Sequence, residues 1–157
     1  MEIVRNLEDL NTHELLGELF MPRLEIEDYV SDPEYRARIQ KLTREHRAGG
    51  FCVFRGDPAT IIQTVCELQQ IATESHSIPL LFSADFEFGL PMRLSSGGTE
   101  FPDAMAVARC NDLEITRAVA RAIGEEAKAL GIGWNFAPVA DVNSSETHDL
   151  QPPDFCH

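Results

Sequence analysis

Three short apolar runs constrain this chain more than any other feature: FCVF at residues 51–54, IPLLFSA at 78–84 and IGWNFAPV at 132–139. Each carries apolar side chains on both sides of a period-two pattern, as a strand buried on both faces does. Stretches of helical periodicity separate them. Ile61, Val65, Leu68 and Ile71 place one apolar stripe at helical spacing; Ile115, Val119, Ile123 and Leu130 place a second, ended by Gly131. Strand and helix in alternation predict βα units in a parallel sheet covered by helices, so the fold class is α/β. Two architectures satisfy that pattern, a doubly wound sheet and a (β/α) barrel, and Phe51, Val53, Leu81 and Phe136 suit a strand interior in either.

The helix starts are written in side-chain chemistry. Asn11 and Glu14 have the spacing of a capping box ahead of LLGELF, and Asn111 and Glu114 repeat it. Asp32-Pro33 and Asp57-Pro58 each set a cap before a proline at the first helical position. The polar helix begun at Asp32 is expected to end near Ala48-Gly49-Gly50, and a short MPRL stretch precedes it. At 157 residues the chain suits one domain. Its net charge of −13 repels phosphate backbones and anionic lipid surfaces, which disfavours nucleic-acid and membrane partners. Residues 1–10 carry no basic segment leading into an apolar one, so a cytoplasmic location is expected. Cys52, Cys66, Cys110 and Cys156 match neither a zinc spacing nor a short disulfide framework, and Cys66 reads as a core residue on its helix.

In both architectures functional groups collect at the carboxyl ends of the strands, where loops vary on a rigid base. The segment SADFEFGLPMRLSSGG follows such an end and holds Asp85, Glu87 and Arg93. Asp85 and Glu87 are two apart, so in an extended segment both point to one side. Two such carboxylates could bind sugar hydroxyls, hold a metal, or act as acid and base. The structural alternative has one binding the amides of Gly97-Gly98 while the other pairs with Arg93. Asp141 also follows a strand end, facing either a ligand or its own loop amides. His148, Asp154, Cys156 and His157 cluster in a terminal segment poorly suited to a fixed tetrahedron, so no metal or cofactor is expected. Neither Gly97-Gly98 nor Gly131-Ile132-Gly133 is a phosphate-binding fingerprint, which also argues against a flavodoxin-like domain.

Taken in order, GGFCVFRGD, IPLLFSADFEFG, Arg93, GGTEFPDAMAVA and GEEAKALGIGWNFAPVADVN resemble the N-terminal barrel domain of glycoside hydrolase family 3. The matched blocks run from about Leu15 to Asn143. The resemblance implies the N-terminal half, about four βα units, of a TIM-type (β/α)8 barrel over residues 1–143, with a divergent tail at 144–157. It implies an exo-acting retaining β-glycosidase, most like a β-N-acetylglucosaminidase or β-glucosidase, whose partner is a carbohydrate with a β-linked terminal sugar. Asp85 matches the family aspartate that accepts hydrogen bonds from sugar hydroxyls, and Arg93 the basic residue that reaches the same sugar. Glu87 matches a recurring acid and, like Asp141, is a candidate for support.

This chain departs from the family pattern. Phe86, Phe88 and Leu90 stand where small or polar residues are common, which predicts a more apolar rim able to stack a sugar face. After Asn143 the family continues with a proline-containing loop and an arginine-serine-phenylalanine stretch, where this chain reads SSETHDLQPPDFCH. The family's lysine-histidine pair, its later histidine loop and its nucleophilic aspartate have no match here. The resemblance therefore implies a truncated or frame-shifted product, inactive alone because nucleophile and acid/base are absent. The alternative is a non-catalytic half-barrel that binds sugar or pairs as a homodimer through its exposed edges.

Overall fold

The computed structural model describes residues 8, 10–75 and 78–140. Helix α1 (Thr12–Glu18) opens at Asn11, whose side chain accepts from the His13 and Glu14 amides while the Glu14 carboxylate accepts from the Asn11 amide. Strand β1 (Arg23–Glu25) runs straight into α2 (Ile26–Ser31), and α3 (Pro33–Arg44) starts from the Asp32 cap with Pro33 in its first turn. Helix α3 stops at Arg44, short of the expected glycine pair. Gly50 instead opens β2 (Gly50–Phe54), and a Cβ there would lie 1.9 Å from the Leu81 carbonyl oxygen. The glycine permits the close approach of two chain segments rather than ending a helix.

Asp57 caps α4 (Pro58–Ser75) through the Ala59 and Thr60 amides. Strand β3 (Leu81–Ala84), a 3-10 turn at Leu90–Met92, α5 (Ala104–Arg109), α6 (Leu113–Ala129) and β4 (Trp134–Asn135) complete the described chain. The cap of α6 is Asp112, not Asn111: the Asp112 carboxylate accepts from the Glu114 amide at 2.8 Å. Asn111 instead takes a left-handed backbone with φ of +50°, a conformation asparagine tolerates well.

The four strands form one parallel sheet in the order β1-β2-β3-β4, with Leu24 beside Val53, Phe51 beside Phe82 and Ser83 beside Trp134. Every crossover steps in the same direction. Right-handed crossovers then put all the connecting helices on one face, whereas a doubly wound sheet needs a reversal of direction. The sheet is therefore an open arc of a (β/α)-barrel winding, with β1 and β4 at its edges.

The helix-covered face is the core. Leu24, Phe51, Val53, Phe82 and Ala84 are buried there with Ile61, Leu68 and Ile123. By strand alternation and register, the opposite face presents Arg23, Cys52, Phe54, Leu81, Ser83 and Trp134. Leu81, Trp134 and Phe136 on this side are 42%, 48% and 43% exposed, so Leu81 and Phe136 are not core residues. Cys66 is exposed as well, because it sits one residue past Val65 and so about 100° round the helix from the stripe. Ile115 faces outward at the start of α6, and burial begins further along at Ile123.

Candidate functional site

Strand β3 ends at Ala84, and Asp85 is the next residue, half-buried at the carboxyl end of the sheet. Asn135 of β4 fixes its exit. The Asn135 Oδ1 accepts from the Phe86 amide at 2.9 Å and the Ala137 amide at 3.2 Å, while Nδ2 donates to the Phe86 carbonyl at 3.4 Å. The Phe136 amide donates to the Ala84 carbonyl at 3.0 Å, so β4 and the residue after it hold the backbone on both sides of Asp85.

The chain then turns at Gly89, where φ is +104° and a Cβ would lie 2.1 Å from the Thr99 carbonyl oxygen. The 3-10 turn brings Arg93 back over the end of β2. Its Nη2 donates to the Asp85 Oδ2 at 3.0 Å, and its guanidinium lies 4.9 Å from the centroid of the Phe54 ring. The Ser95 amide donates to the Gly56 carbonyl at 3.0 Å and ties this loop to the residues after β2. Arg23 also lies over Phe54, at 4.3 Å, and pairs with Glu25. The result is a ring bearing two guanidiniums, each matched by a carboxylate. Locally the charge balances although the chain as a whole is strongly acidic.

Beneath these groups Cys52 is half-buried, and burial pushes its thiol pKa up; the Ser83 hydrogen bond and the nearby Arg93 and Arg23 oppose that rise, and Asp85 adds to it. A thiol held protonated is a poor nucleophile. Among the described residues no group of three or more His, Cys, Asp or Glu side chains could hold a metal ion, and no helix is long and apolar enough to cross a membrane.

The structure thus joins Asp85 to Arg93, the pairing named in the structural alternative, and leaves Glu87 exposed on the turn. The strand ends before Glu87, so the two carboxylates do not share an extended segment. Phe86 and Leu90 are not rim residues: they are 1% and 2% exposed and belong to the core, and Phe88 is partly buried. Asp141, His148, Asp154, Cys156 and His157 lie outside the described residues. Sequence reasoning missed Phe54, Arg23 and Asn135. An asparagine inside the apolar run WNFAPV is the signal that could have found one of them, since a polar group in a buried strand needs partners.

A singly wound parallel sheet with a polar pair at its carboxyl end defines the (β/α)-barrel class, in which sites are built from the loops at that end. Residues 11–150 match the Glycosyl hydrolase family 3 N terminal domain, and the chain belongs to that family. It is 36% identical over 137 residues to a β-N-acetylglucosaminidase/β-glucosidase of Cellulomonas fimi, covering 87% of this chain and 22% of that protein. Among solved structures, a glycoside hydrolase family 3 β-N-acetylglucosaminidase from Paenibacillus sp. superposes with a TM-score of 0.72 at 38% identity, covering 85% of this chain and 25% of that one. A β-N-acetylhexosaminidase from Beutenbergia cavernae shares the fold with a TM-score of 0.71 at 24% identity over 94% of this chain and 44% of its own. The chain thus spans about a fifth of the Cellulomonas protein.

Proposed function

We propose that this domain contributes the terminal-sugar subsite of an exo-acting retaining β-glycosidase, most like a β-N-acetylglucosaminidase, with Asp85 and Arg93 as the sugar-binding groups. The supporting observation is the 3.0 Å ion pair between residues eight apart in sequence, set at the carboxyl end of a barrel strand. An ionised carboxylate accepts strongly from hydroxyls, and a guanidinium presents several donors to hydroxyl and ring oxygens. Their mutual pairing keeps the two groups together before a sugar arrives, and a site built this way discriminates against analogues lacking the matching hydroxyls. The relatives named as β-N-acetylglucosaminidase or β-hexosaminidase support the sugar class. Glu87 and Asp141 are the candidates for support.

Hydrolysis with retention needs a nucleophile and an acid/base on opposite sides of the scissile bond. Neither role has a candidate in the matched blocks of this chain, so it binds without turning over. The test is a titration with N-acetylglucosamine followed by protein-observed NMR, alongside an assay with an aryl β-N-acetylglucosaminide. Saturable shifts that disappear in Asp85→Ala, without hydrolysis, are expected. Shifts that persist in Asp85→Ala would remove Asp85 from the site, and turnover at ordinary enzyme rates would mean that a nucleophile has gone unrecognised.

A second reading is self-association through the open arc. It is favoured by the exposed side chains of Leu81, Trp134 and Phe136 on the face that the helices do not cover, next to β4, which has no strand beyond it among the described residues. A two-fold axis parallel to the strands would keep every new strand pair parallel. Light scattering after size exclusion should then give twice the 17.5 kDa chain mass, and a monomer at micromolar concentration rejects this reading.

A further inference from the structure

We propose that Phe54 is a positioning residue for the sugar site: its ring sets the plane of the Arg93 guanidinium, and this inference rests on the reading of Asp85 and Arg93 given above. Arg93 reaches Asp85 through Nη2 alone. Its Nη1 makes a long contact of 3.5 Å with the Met92 carbonyl, and its Nε is buried without a hydrogen-bond partner among the described residues. A fork held at one nitrogen can pivot about that contact, unlike a bidentate pair. The face of Phe54, 4.9 Å away, is the surface that limits the pivot.

Phe54 is well placed for this. It ends β2, which is paired on both sides, and its Cα partner across β1 is Glu25. Arg23, paired with Glu25, lies over the same ring at 4.3 Å and ties it to β1. The ring is thus carried by a strand, while Arg93 follows the 3-10 turn in the loop after β3. The backbone contact between Ser95 and Gly56 sets how far the loop stands from β2, and the ring sets how the guanidinium is turned. A guanidinium over an aromatic face is held electrostatically, and an aliphatic side chain of similar volume offers no such hold.

The experiment compares wild type, Phe54→Leu and Phe54→Tyr by two measurements. The first is the heteronuclear NOE of the Arg93 Nε–Hε group, which reports side-chain order without any sugar. The second is the N-acetylglucosamine titration. Wild type and Phe54→Tyr should show an ordered Arg93; Phe54→Leu should show a mobile one and bind N-acetylglucosamine about tenfold more weakly. Recovery in Phe54→Tyr separates loss of the aromatic face from a general packing defect. Should Phe54→Leu fail to fold, Phe54→Met takes its place on the same readouts. An ordered Arg93 and wild-type affinity in a folded Phe54→Leu protein overturn the proposal. If Arg93 loosens in Phe54→Leu but wild type itself binds no sugar, the positioning role stands and the sugar reading fails.

Discussion

Replacing Asn135 by alanine should cost this domain about 2–3 kcal/mol, most of it from a single amide. The Asn135 side chain accepts from the Phe86 and Ala137 amides and donates to the Phe86 carbonyl. Phe86 is 1% exposed, so its amide has little access to a replacement water, and leaving such a donor unsatisfied costs ~1–3 kcal/mol. Ala137 is partly exposed and its amide can turn to solvent at small cost. The donated bond is long at 3.4 Å and adds little. With a urea slope of about 2 kcal/mol per molar, the midpoint should fall by roughly 1 M. Asn135→Asp keeps both acceptor contacts and loses the donor, so it should lie between alanine and wild type. The reasoning is refuted if Asn135→Ala moves the midpoint by less than about 0.3 M, or if the aspartate variant is the less stable of the two.

Gly89→Ala forces a Cβ to 2.1 Å from the Thr99 carbonyl at a φ of +104°, so it should lower the melting temperature by about 4 °C or more and, on the proposed reading of Arg93, weaken N-acetylglucosamine binding. Asp57 has its pKa lowered, first by the Thr60 side-chain hydrogen bond and then by backbone amides. A carboxylate depressed on folding adds stability that is present above its unfolded pKa and lost as pH falls through the folded one. The wild-type urea midpoint should therefore drop below pH 4 by an increment that Asn at position 57 abolishes; equal slopes in Asp57→Asn would refute this. Because burial raises the Cys52 pKa while Cys66 and Cys110 are exposed, alkylation at pH 8 read by mass spectrometry should label those two well before Cys52.

What the sequence revealed divides by range. The caps at Asn11, Asp32 and Asp57 were legible because each is a side chain meeting amides two or three residues away. At α6 the same reading slipped by one residue, since Asn111 and Asp112 are both able caps and the choice turned on which of them could accept a left-handed backbone. The misplaced rim came from the resemblance, which set Phe86, Phe88 and Leu90 against smaller or polar residues; alternation from Phe82 and Ala84 keeps Phe86 on the core side, and Phe86 and Leu90 are buried there. The Asp85–Arg93 pair was half legible, for spacing offered Arg93 as a partner without choosing between the two carboxylates.

Phe54 and Asn135 were hidden for a different reason. Their roles exist because β2 lies beside β3 and β3 beside β4. Neighbouring strands stand about 4.8 Å apart, so the residues that can touch Asp85 or its loop are those ending the adjacent strands, whatever their distance along the chain. A doubly wound order would have brought different residues there from the same local elements. Strand order is absent from periodicity and caps, and it is what turns a list of polar residues after strands into a site. A resemblance that fixes the order therefore reveals more about contacts than the motifs it rests on. The order points to Phe54 and Asn135 as positions to test beside Asp85 and Arg93, although neither is charged.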